Sequence, residues 1–595
     1  MMRTPLRPLA QILEARARGE NPDAIERENI RLRHEEMRDR ARARAEGRLF
    51  VLALAFFCAF GTIGIRMGVL AASDPAEPRS AGSGAQILAN RADITDRKGA
   101  LLATNLVTYS LYAQPRQMTD PQGAARALAS IFPDLDRDRL VRQFTGGRTF
   151  VWIKRRISPE QMQAVHDIGD PGLLFGPREM RLYPNGALAA HVLGGAAFGR
   201  EGVHSAEVIG TAGVEKTFDE RLRDPANQGR PLVLSLDLSV QAAVEQVLEG
   251  GMALMHAKGA AAVLMEADTG EIVAMASLPD FDPNDRPPPP ASGDPSDSPI
   301  FNRAVQGLYE LGSTYKIFAI AQALELGLVN PQTMIDTRSP MTHGRHRIRD
   351  FRNYGPELSV TDVIVKSSNV GTARIALQIG AERQKAFLAS LGLLSPTPLE
   401  LAEAPGVQPL FPQRNWPEIS TMTISYGHGT SASPVHLAAA YATMVNGGYK
   451  VSPTILHGEV PARGERVISP ETSATVREML RSVVTRGTAT MAEVEGYAVG
   501  GKTGTADKPL RTGRGYHQDK VITTFAGFFP ADDPAYVLVL SLDEPVETSG
   551  PEPRRTAGWT AVPVAAEVIR RVAPLLGLRP EIATGGPDGV TLARN

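Results

Sequence analysis

A serine followed three residues later by a lysine is the part of this sequence best suited to chemistry. Residues 309–316 read Y-E-L-G-S-T-Y-K, and an apolar run continues to Leu328. Positions i and i+3 of a helix share one face, so a helix that begins at Gly312 would place Lys316 beside Ser313. A serine hydroxyl becomes nucleophilic when an adjacent base takes its proton, and burial lowers the pKa of a lysine enough for that role. The first turn would also offer unpaired N–H groups to an oxyanion.

Lysine is scarce in this chain, which contains 11 lysines against 53 arginines. Arginine does not give up its proton in a protein and cannot replace a lysine base. Lys316 alone among the lysines has a serine three residues before it. The S-x-x-K pattern nevertheless arises by chance about once or twice in a chain of this length, so by itself it leaves an ordinary helix start open.

A second polar motif, Ser367-Ser368-Asn369, follows Ser313 by 54 residues. Two hydroxyls and an amide can relay a proton and hold a substrate amide. The same residue types are also common in helix caps and turns. The triplet alone therefore leaves both interpretations open.

A third motif is Lys502-Thr503-Gly504-Thr505. Lys502 would supply a cation for a substrate carboxylate, and Thr505 a backbone donor. Residues 496–503 also satisfy the phosphate-loop pattern G-x-x-x-x-G-K-[ST]. A phosphate loop continues into a helix, whereas residues 504–509 oppose one, so we predict a strand edge at this point.

The N-terminal part predicts a membrane anchor. Residues 1–48 are charged and Arg-rich, and 23–48 are compatible with one exposed helix. The 17 residues from 49 to 65 carry no charge and, continued to residue 72, predict a transmembrane helix in which Arg66 snorkels or meets a partner helix. A buried core helix is the alternative. The preceding arginines predict a cytoplasmic N-terminus and an exported remainder.

The rest of the chain divides into a mixed α/β region at 73–230, which begins with a linker at 73–86, a larger region at 231–577 and a tail at 578–595. Patterns in the first region predict a hairpin at 94–103 and helices at 121–131 and 159–168. Those in the second predict a strand at 232–236, a helix at 238–256 and strands at 260–266 and 271–277. The net charge of −1 does not favour nucleic acid, and the single Cys58 excludes an intrachain disulfide.

Taken together, the motifs S-x-x-K, S-x-N and K-T-G in this order resemble the active-site signature of penicillin-binding proteins and serine β-lactamases. Four further segments are similar to class B penicillin-binding proteins: 91–99, 213–216, 281–284 and 302–304. Three more look most like the division-specific (FtsI-type) branch: 368–371, 426–429 and 524–528. The resemblance covers roughly residues 48–577. Leu311 departs from it, because proline is frequent at this position in the wider family.

The resemblance implies an α/β (α+β) architecture. A pedestal (dimerisation-type) domain at 73–230 would precede a transpeptidase domain at 231–577 with a five-stranded antiparallel sheet flanked by helices. A nucleophile helix at 313–328, a strand at Lys502, strands at 521–529 and 536–543 and a last helix at 564–576 agree with this architecture.

The activity implied is that of a peptidoglycan D,D-transpeptidase, which cross-links stem peptides through a serine acyl-enzyme during septal wall synthesis and is the target of β-lactams. Ser313 would be the nucleophile, Lys316 its base and Ser367 a proton relay, while Asn369 would hold the stem peptide. The segment Lys502-Thr503-Gly504-Thr505 would receive the terminal carboxylate. No cofactor or metal is implied.

The resemblance also implies a polytopic glycan polymerase (FtsW-like) and other divisome proteins as partners at the division septum. Three alternatives stay open at this stage. They are an elongation-type class B transpeptidase, a hydrolytic enzyme (a D,D-carboxypeptidase or β-lactamase), and a catalytically dead membrane scaffold or receptor.

Overall fold

The structure, a computed structural model, describes residues 7–72, 91–201, 206–227, 229–413, 416–459, 464–510 and 515–581. The predicted linker at 73–86 and residues 582–595 of the predicted C-terminal tail lie outside these ranges.

The helices of the described chain follow in order: α1 (Arg7–Ala17), α2 (Pro22–Ala72), α3 (Pro121–Ile131), α4 (Arg137–Phe144), α5 (Pro159–His166), α6 (Ala190–Leu193), α7 (Gly213–Thr217), α8 (Asp219–Arg223), α9 (Leu238–Leu254), α10 (Lys316–Glu325), α11 (Val360–Val365), α12 (Asn369–Ile379), α13 (Ala381–Ser390), α14 (Glu418–Ile424), α15 (Pro434–Val445), α16 (Pro470–Arg486) and α17 (Ala561–Leu575).

The strands follow in the same way: β1 (Ile94–Thr95), β2 (Leu101–Ala113), β3 (Val151–Ile157), β4 (Leu173–Leu182), β5 (Gly195–Glu201), β6 (Ala206–Ala212), β7 (Leu232–Val233), β8 (Gly259–Glu266), β9 (Ile272–Leu278), β10 (Met334–Asp336), β11 (Met341–His343), β12 (His346–Ile348), β13 (Glu357–Ser359), β14 (Gly500–Pro509), β15 (Tyr516–Phe529) and β16 (Tyr536–Asp543).

The described residues form two compact units. The first takes in those of 1–82, 111–155 and 160–175, and the second those of 83–110, 156–159 and 176–595. In the first unit, Asp120 and Asp136 accept backbone N–H groups of Gly123 and Arg139 and so begin α3 and α4. An aspartate before a helix commonly satisfies a backbone donor in this way. The predicted helix at 121–131 is confirmed.

A five-stranded antiparallel sheet, in the order β14-β15-β16-β8-β9, is the centre of the second unit. Strands β8 and β9 are buried at almost every position, as expected of strands covered on both faces. Helices α9, α15 and α17 pack against this sheet. The strands predicted at 260–266, 271–277, 521–529 and 536–543 are all present, and the strand predicted at Lys502 is β14.

Four predicted elements are shorter than the sequence suggested, and two of them, the helices at 159–168 and 238–256, end only two residues early, at His166 and Leu254. The strand expected at 232–236 is Leu232–Val233, and the nucleophile helix expected to reach residue 328 ends at Glu325. Gly327, two residues past that end, has a φ of +65°. A positive φ suits glycine and stops the helix, as at many helix C-termini.

The hairpin predicted at 94–103 is confirmed, because β1 pairs antiparallel with β2 and also lies parallel to β7. Beside it lies a buried ion cluster. Both carboxylate oxygens of Glu215 accept hydrogen bonds, from Arg91 Nε at 2.6 Å and from Arg181 Nε at 2.7 Å. Arg91 also contacts Asp219 at 2.6 Å. Buried charges are costly unless they are paired, so Arg91 and Arg181 depend on Glu215 as their partner.

Helix α2 runs without a break from Pro22 to Ala72 and contains the exposed helix predicted at 23–48. Large apolar side chains described between residues 49 and 65 are exposed, for example Phe57 and Ile65. Within the described part of the chain, no helix is both long and apolar enough to cross a membrane. The span predicted at 49–72 is therefore not confirmed.

Candidate active site

The predicted nucleophile lies in a tight turn at the start of a buried helix. Residues Gly312–Tyr315 form a 3₁₀ turn, and α10 begins at Lys316, so the predicted helix start at Gly312 is confirmed with a tighter first turn. The Thr314 hydroxyl donates to Leu311 O at 2.8 Å, and buried Tyr441 OH donates to Thr314 O at 2.7 Å. These bonds fix the turn and leave Ser313 half-buried at its surface.

Two glycines let the backbone pack unusually closely around this turn. Gly312 has a φ of +55°, and a Cβ at this position would lie 2.7 Å from Thr505 O on β14. Gly427 has a φ of +77°, and a Cβ there would lie 2.1 Å from Gly312 O. The backbone at Gly312 is thus held between β14 and the segment at Gly427, which places Ser313 next to Thr505.

Lys316 is fully buried and faces the second motif. Its Nζ donates to Ser367 O at 2.5 Å and to Ser367 Oγ at 3.0 Å. Burial lowers the pKa of Lys316 well below its ordinary value, and the nearby Lys502 lowers it further, while Asp350 opposes the change. Among the described residues, none forms a hydrogen bond with Ser313 Oγ. In unliganded sites such catalytic contacts commonly form only with substrate.

Ser367 connects the second motif to the lysines of the first and the third. Lys502 Nζ also donates to Ser367 Oγ, at 3.0 Å, so one hydroxyl contacts both buried lysines. Burial lowers the pKa of Lys502 to about 7. Ser367 has a φ of +63°, which is a strained conformation for a residue other than glycine and is typical of functional positions.

The remaining residues of the second motif are held by Asp350. Its carboxylate accepts hydrogen bonds from Ser368 Oγ at 2.7 Å, Asn369 N at 2.5 Å and Val370 N at 3.0 Å. These backbone donors belong to the first turn of α12, where a carboxylate is favoured. Asn369 Nδ2 donates to Arg349 O at 2.9 Å. The loop that contains Arg349 and Asp350 is therefore fastened to the predicted substrate-binding asparagine.

The third motif lies on β14, where side chains alternate between two faces. Thr503, Thr505 and Asp507 line the cleft described below. Lys502 points to the other face and reaches Ser367, and a Cβ at Gly504 would lie 2.3 Å from Leu311 O. Because a strand continues past Thr503 where a phosphate loop would need a helix, the structure excludes that alternative.

An open cleft of about 840 Å³ crosses this region. It is lined by Ser313 and by residues from five segments: 349–354, 365–369, 486–488, 503–507 and 556–559. Within this lining, the Thr503 and Thr488 hydroxyls lie 2.7 Å apart, and Ala557 N donates to Thr505 Oγ1 at 3.0 Å. A cleft of this volume, built from so many segments, can take an extended peptide.

The structure brings all the predicted site residues together. Ser313, Ser367, Asn369, Thr503 and Thr505 line the cleft, while Lys316 and Lys502 lie beneath it and Gly504 backs onto the nucleophile turn. Sequence reasoning missed two kinds of residue: Asp350, which organises the second motif, and the cleft residues at 486–488 and 556–559. No spacing in the sequence marks them, because their relation to the motifs exists only in three dimensions.

A second polar cluster lies beside the nucleophile turn. Glu310 accepts hydrogen bonds from Gly429 N and Tyr516 OH, both at 3.0 Å. The His428 Nδ1 lies 3.1 Å from Glu310 Oε2. This contact raises the pKa of His428, and burial with the same carboxylate raises the pKa of Tyr516. The cluster ties the residue before Leu311 to the segment at 426–429 and to β15.

Comparisons with known proteins agree with this geometry. The family model "Penicillin binding protein transpeptidase domain" matches residues 260–569, and "Penicillin-binding Protein dimerisation domain" matches 86–230. The chain therefore belongs to the penicillin-binding proteins that join these two domains, the class B proteins.

Among its relatives, the probable peptidoglycan D,D-transpeptidase FtsI of Caulobacter vibrioides is 34% identical over 92% of each chain. The peptidoglycan D,D-transpeptidase FtsI of Escherichia coli K12 is 30% identical, over 84% of this chain and 86% of that protein. The chain is thus of the FtsI type. A crystal structure of penicillin binding protein 3 from Mycobacterium tuberculosis, complexed with aztreonam, is 26% identical. It has a TM-score of 0.63 and covers 83% of this chain and 98% of that one.

Proposed function

We propose that this protein is a division-type peptidoglycan D,D-transpeptidase that acts through an acyl-enzyme on Ser313. One observation carries the assignment of residues. The hydroxyl of Ser367 contacts Nζ of both Lys316 and Lys502 at 3.0 Å, beside the turn that presents Ser313 to an open cleft. All three motifs thus meet at one point, where a peptide in the cleft would have its reacting carbonyl.

In the first half-reaction, Ser313 Oγ attacks the carbonyl carbon of the penultimate D-alanine, and its proton passes to neutral Lys316. The oxyanion would be stabilised by backbone N–H groups of Ser313 and Thr505. The C–N bond then breaks, and the leaving D-alanine takes a proton through Ser367, which is replenished from Lys316. The products are an ester on Ser313 and free D-alanine.

In the second half-reaction, an amine of a neighbouring stem peptide attacks the ester. Its proton returns through the same groups, and Ser313 is released as the alcohol. Asn369 would hold the donor peptide, and Thr503 and Thr505 its terminal carboxylate. Lys502 supports them from beneath, because its ammonium lies at hydrogen-bond distance of Thr503 Oγ1 (3.2 Å). A β-lactam would acylate Ser313 by the same path.

The test is covalent labelling of the full chain by a fluorescent penicillin. Ser313→Ala should remove the label, and Lys316→Arg should remove nearly all of it, because arginine keeps its proton. Ser390→Ala, a serine hydrogen-bonded within its own helix, is the control and should label normally. Label retained by Ser313→Ala would overturn the assignment. Rapid turnover of penicillin, in place of a stable adduct, would favour a hydrolytic enzyme.

The cellular setting is part of the proposal. A division-type enzyme would lie at the septum, with an FtsW-like glycan polymerase and other divisome proteins as partners. A fluorescent fusion that follows the side wall would point to the elongation type instead. The pedestal domain is assigned to 73–230, the transpeptidase domain to 231–577 and the tail to 578–595.

We also propose that residues 49–72 anchor the protein in the membrane with residues 1–48 in the cytoplasm. The support is the uncharged run of 17 residues at 49–65, which continues the Arg-rich part of α2. Cys58 is the sole cysteine of the chain and its side chain is exposed. An impermeant maleimide should fail to label Cys58 in intact membrane vesicles and should label it in denaturant. Equal labelling under both conditions would exclude the anchor.

A further inference from the structure

The cleft that contains Ser313 has more cationic than anionic side chains in its lining. Arg349, Arg352, Lys366 and Arg486 line it. They come from the loop before β13, from the link between α11 and α12 and from the end of α16. Asp350 and Asp507 are the acidic residues of the same lining. Four cations against two carboxylates leave the lining with a surplus of positive charge.

Among the described residues, neither carboxylate of the lining forms a salt bridge with these cations. The carboxylate of Asp350 is occupied by the Ser368 hydroxyl and two backbone N–H groups of α12. Arg486 donates to Asp362 Oδ1 at 2.7 Å and is therefore paired. None of Arg349, Arg352 and Lys366 forms a salt bridge with another described residue. Three cationic groups are thus available to a ligand.

The backbone that carries these cations is fastened next to the site, while their side chains are exposed. Arg349 O accepts the Asn369 side-chain amide, and the next residue, Asp350, binds the first turn of α12. Arg352 follows within the same loop, and its guanidinium lies over the exposed Phe351 ring. Lys366 directly precedes the strained Ser367. A substrate held by Asn369 would therefore pass within reach of these side chains.

We infer that this side of the cleft selects an acidic donor peptide, one that carries free side-chain or α-carboxylates in addition to the carboxylate of its terminal D-alanine. The inference rests on the proposed function, since it concerns the substrate of the same site. Arg349 and Arg352 are the specificity-determining residues, because guanidinium groups pair with carboxylates through two hydrogen bonds. Lys366 adds to the attraction as a point charge.

The experiment compares two donor peptides that end in a D-alanyl thioester, so that acylation of the full chain releases a measurable thiol. One peptide keeps its internal carboxylates free and the other has them amidated. The wild type should acylate with the acidic peptide at a kcat/KM about tenfold higher at low salt. The difference should shrink in about 0.5 M NaCl, because exposed ion pairs are screened.

The double variant Arg349→Gln, Arg352→Gln should lose most of this preference. Each cation removed should lower the ratio of the two kcat/KM values about two- to fivefold, as expected of partly exposed ion pairs. Arg345→Gln, Arg347→Gln is the matched control, because these exposed arginines belong to the neighbouring β11–β12 hairpin and do not line the cleft. It should keep the wild-type preference. The rate of acylation by benzylpenicillin, measured for both variants, verifies that the site is folded.

If the wild type takes both peptides with equal kcat/KM while penicillin still labels Ser313, the inference is wrong and the proposed function stands. A preference that persists in the double variant also overturns the inference. If the double variant fails to bind penicillin, Lys366→Gln is measured in its place, and a preference that persists there overturns the inference as well. If neither peptide nor penicillin acylates the wild type, the proposed function itself fails, and the inference with it.

Discussion

Replacing Gly312 by alanine tests whether the nucleophile turn depends on its close contact with β14. The new Cβ would lie 2.7 Å from Thr505 O, whereas ordinary contact begins near 3.4 Å. The turn and the strand must therefore separate by about 0.7 Å, since Gly427 packs against the other side of Gly312. The φ of +55° adds about 1–2 kcal/mol of strain.

A misplacement of about 1 Å in an active site costs on the order of 100-fold in rate, and loss of one oxyanion donor costs a similar factor. We therefore expect the second-order rate constant for penicillin acylation to fall by about 100-fold in Gly312→Ala. Stopped-flow labelling of the full chain measures this constant, and thermal denaturation measures the accompanying loss of stability.

Gly327→Ala separates strain from steric contact. Gly327 has a similar φ of +65°, and no atom lies within 4 Å of the point that a Cβ would occupy there. The variant should lose about 1–2 kcal/mol of stability and acylate at close to the wild-type rate. The reasoning is refuted if Gly312→Ala acylates within about threefold of wild type, or if Gly327→Ala is impaired equally.

Three further predictions concern residues around the site and the pedestal. Glu310→Gln should lower the pKa of His428, which is raised chiefly by the hydrogen bond to Glu310. The Tm of the wild type should therefore exceed that of Glu310→Gln most below about pH 6.5, and the difference should decline as the pH rises through the raised pKa of His428. Glu215→Ala should destabilise the protein by about 3–5 kcal/mol in denaturant unfolding, because it leaves buried arginines unpaired. Tyr441→Phe should cost about 1–2 kcal/mol and slow acylation, because it removes a buried hydrogen bond to the nucleophile turn.

Each of these has its own control. For the histidine, the control is the same comparison made in a His428→Asn background. There, the difference in Tm between the proteins with Glu310 and with Glu310→Gln should be independent of pH between about 6 and 9, and a persistent slope would point to another group. For the ion cluster, Glu459→Ala removes an exposed partner of Arg221 and should cost less than about 1 kcal/mol; similar losses for both glutamates would contradict the argument. For Tyr441, unchanged stability would mean that water satisfies the freed carbonyl.

The sequence predicted the regular elements near the site well because their patterns are local. The hairpin around Asp268, the long helix after Leu238 and the strand at Lys502 depend on turn residues and on apolar periodicity over a few positions. The three motifs could be recognised in order along the chain, and a resemblance to a known family then implied that they form one active site.

The side-chain directions were harder to predict. Strand alternation turns Lys502 towards Ser367, a contact that the sequence did not predict, and leaves Thr503 and Thr505 to line the cleft. Asp350 was not predicted at all, since its role depends on a contact with a helix that begins 19 residues later in the chain. Contacts of this kind follow from tertiary packing and carry no local signature.

The lowered pKa of Lys502 couples ligand binding to proton uptake. A carboxylate that settles near Thr503 favours the charged form of Lys502, whose pKa is about 7 in the unliganded protein. At about pH 8 the complex must then take a proton from the buffer. The heat of binding for an anionic inhibitor will consequently vary with the ionisation enthalpy of the buffer, and its affinity will fall as the pH rises above about 7.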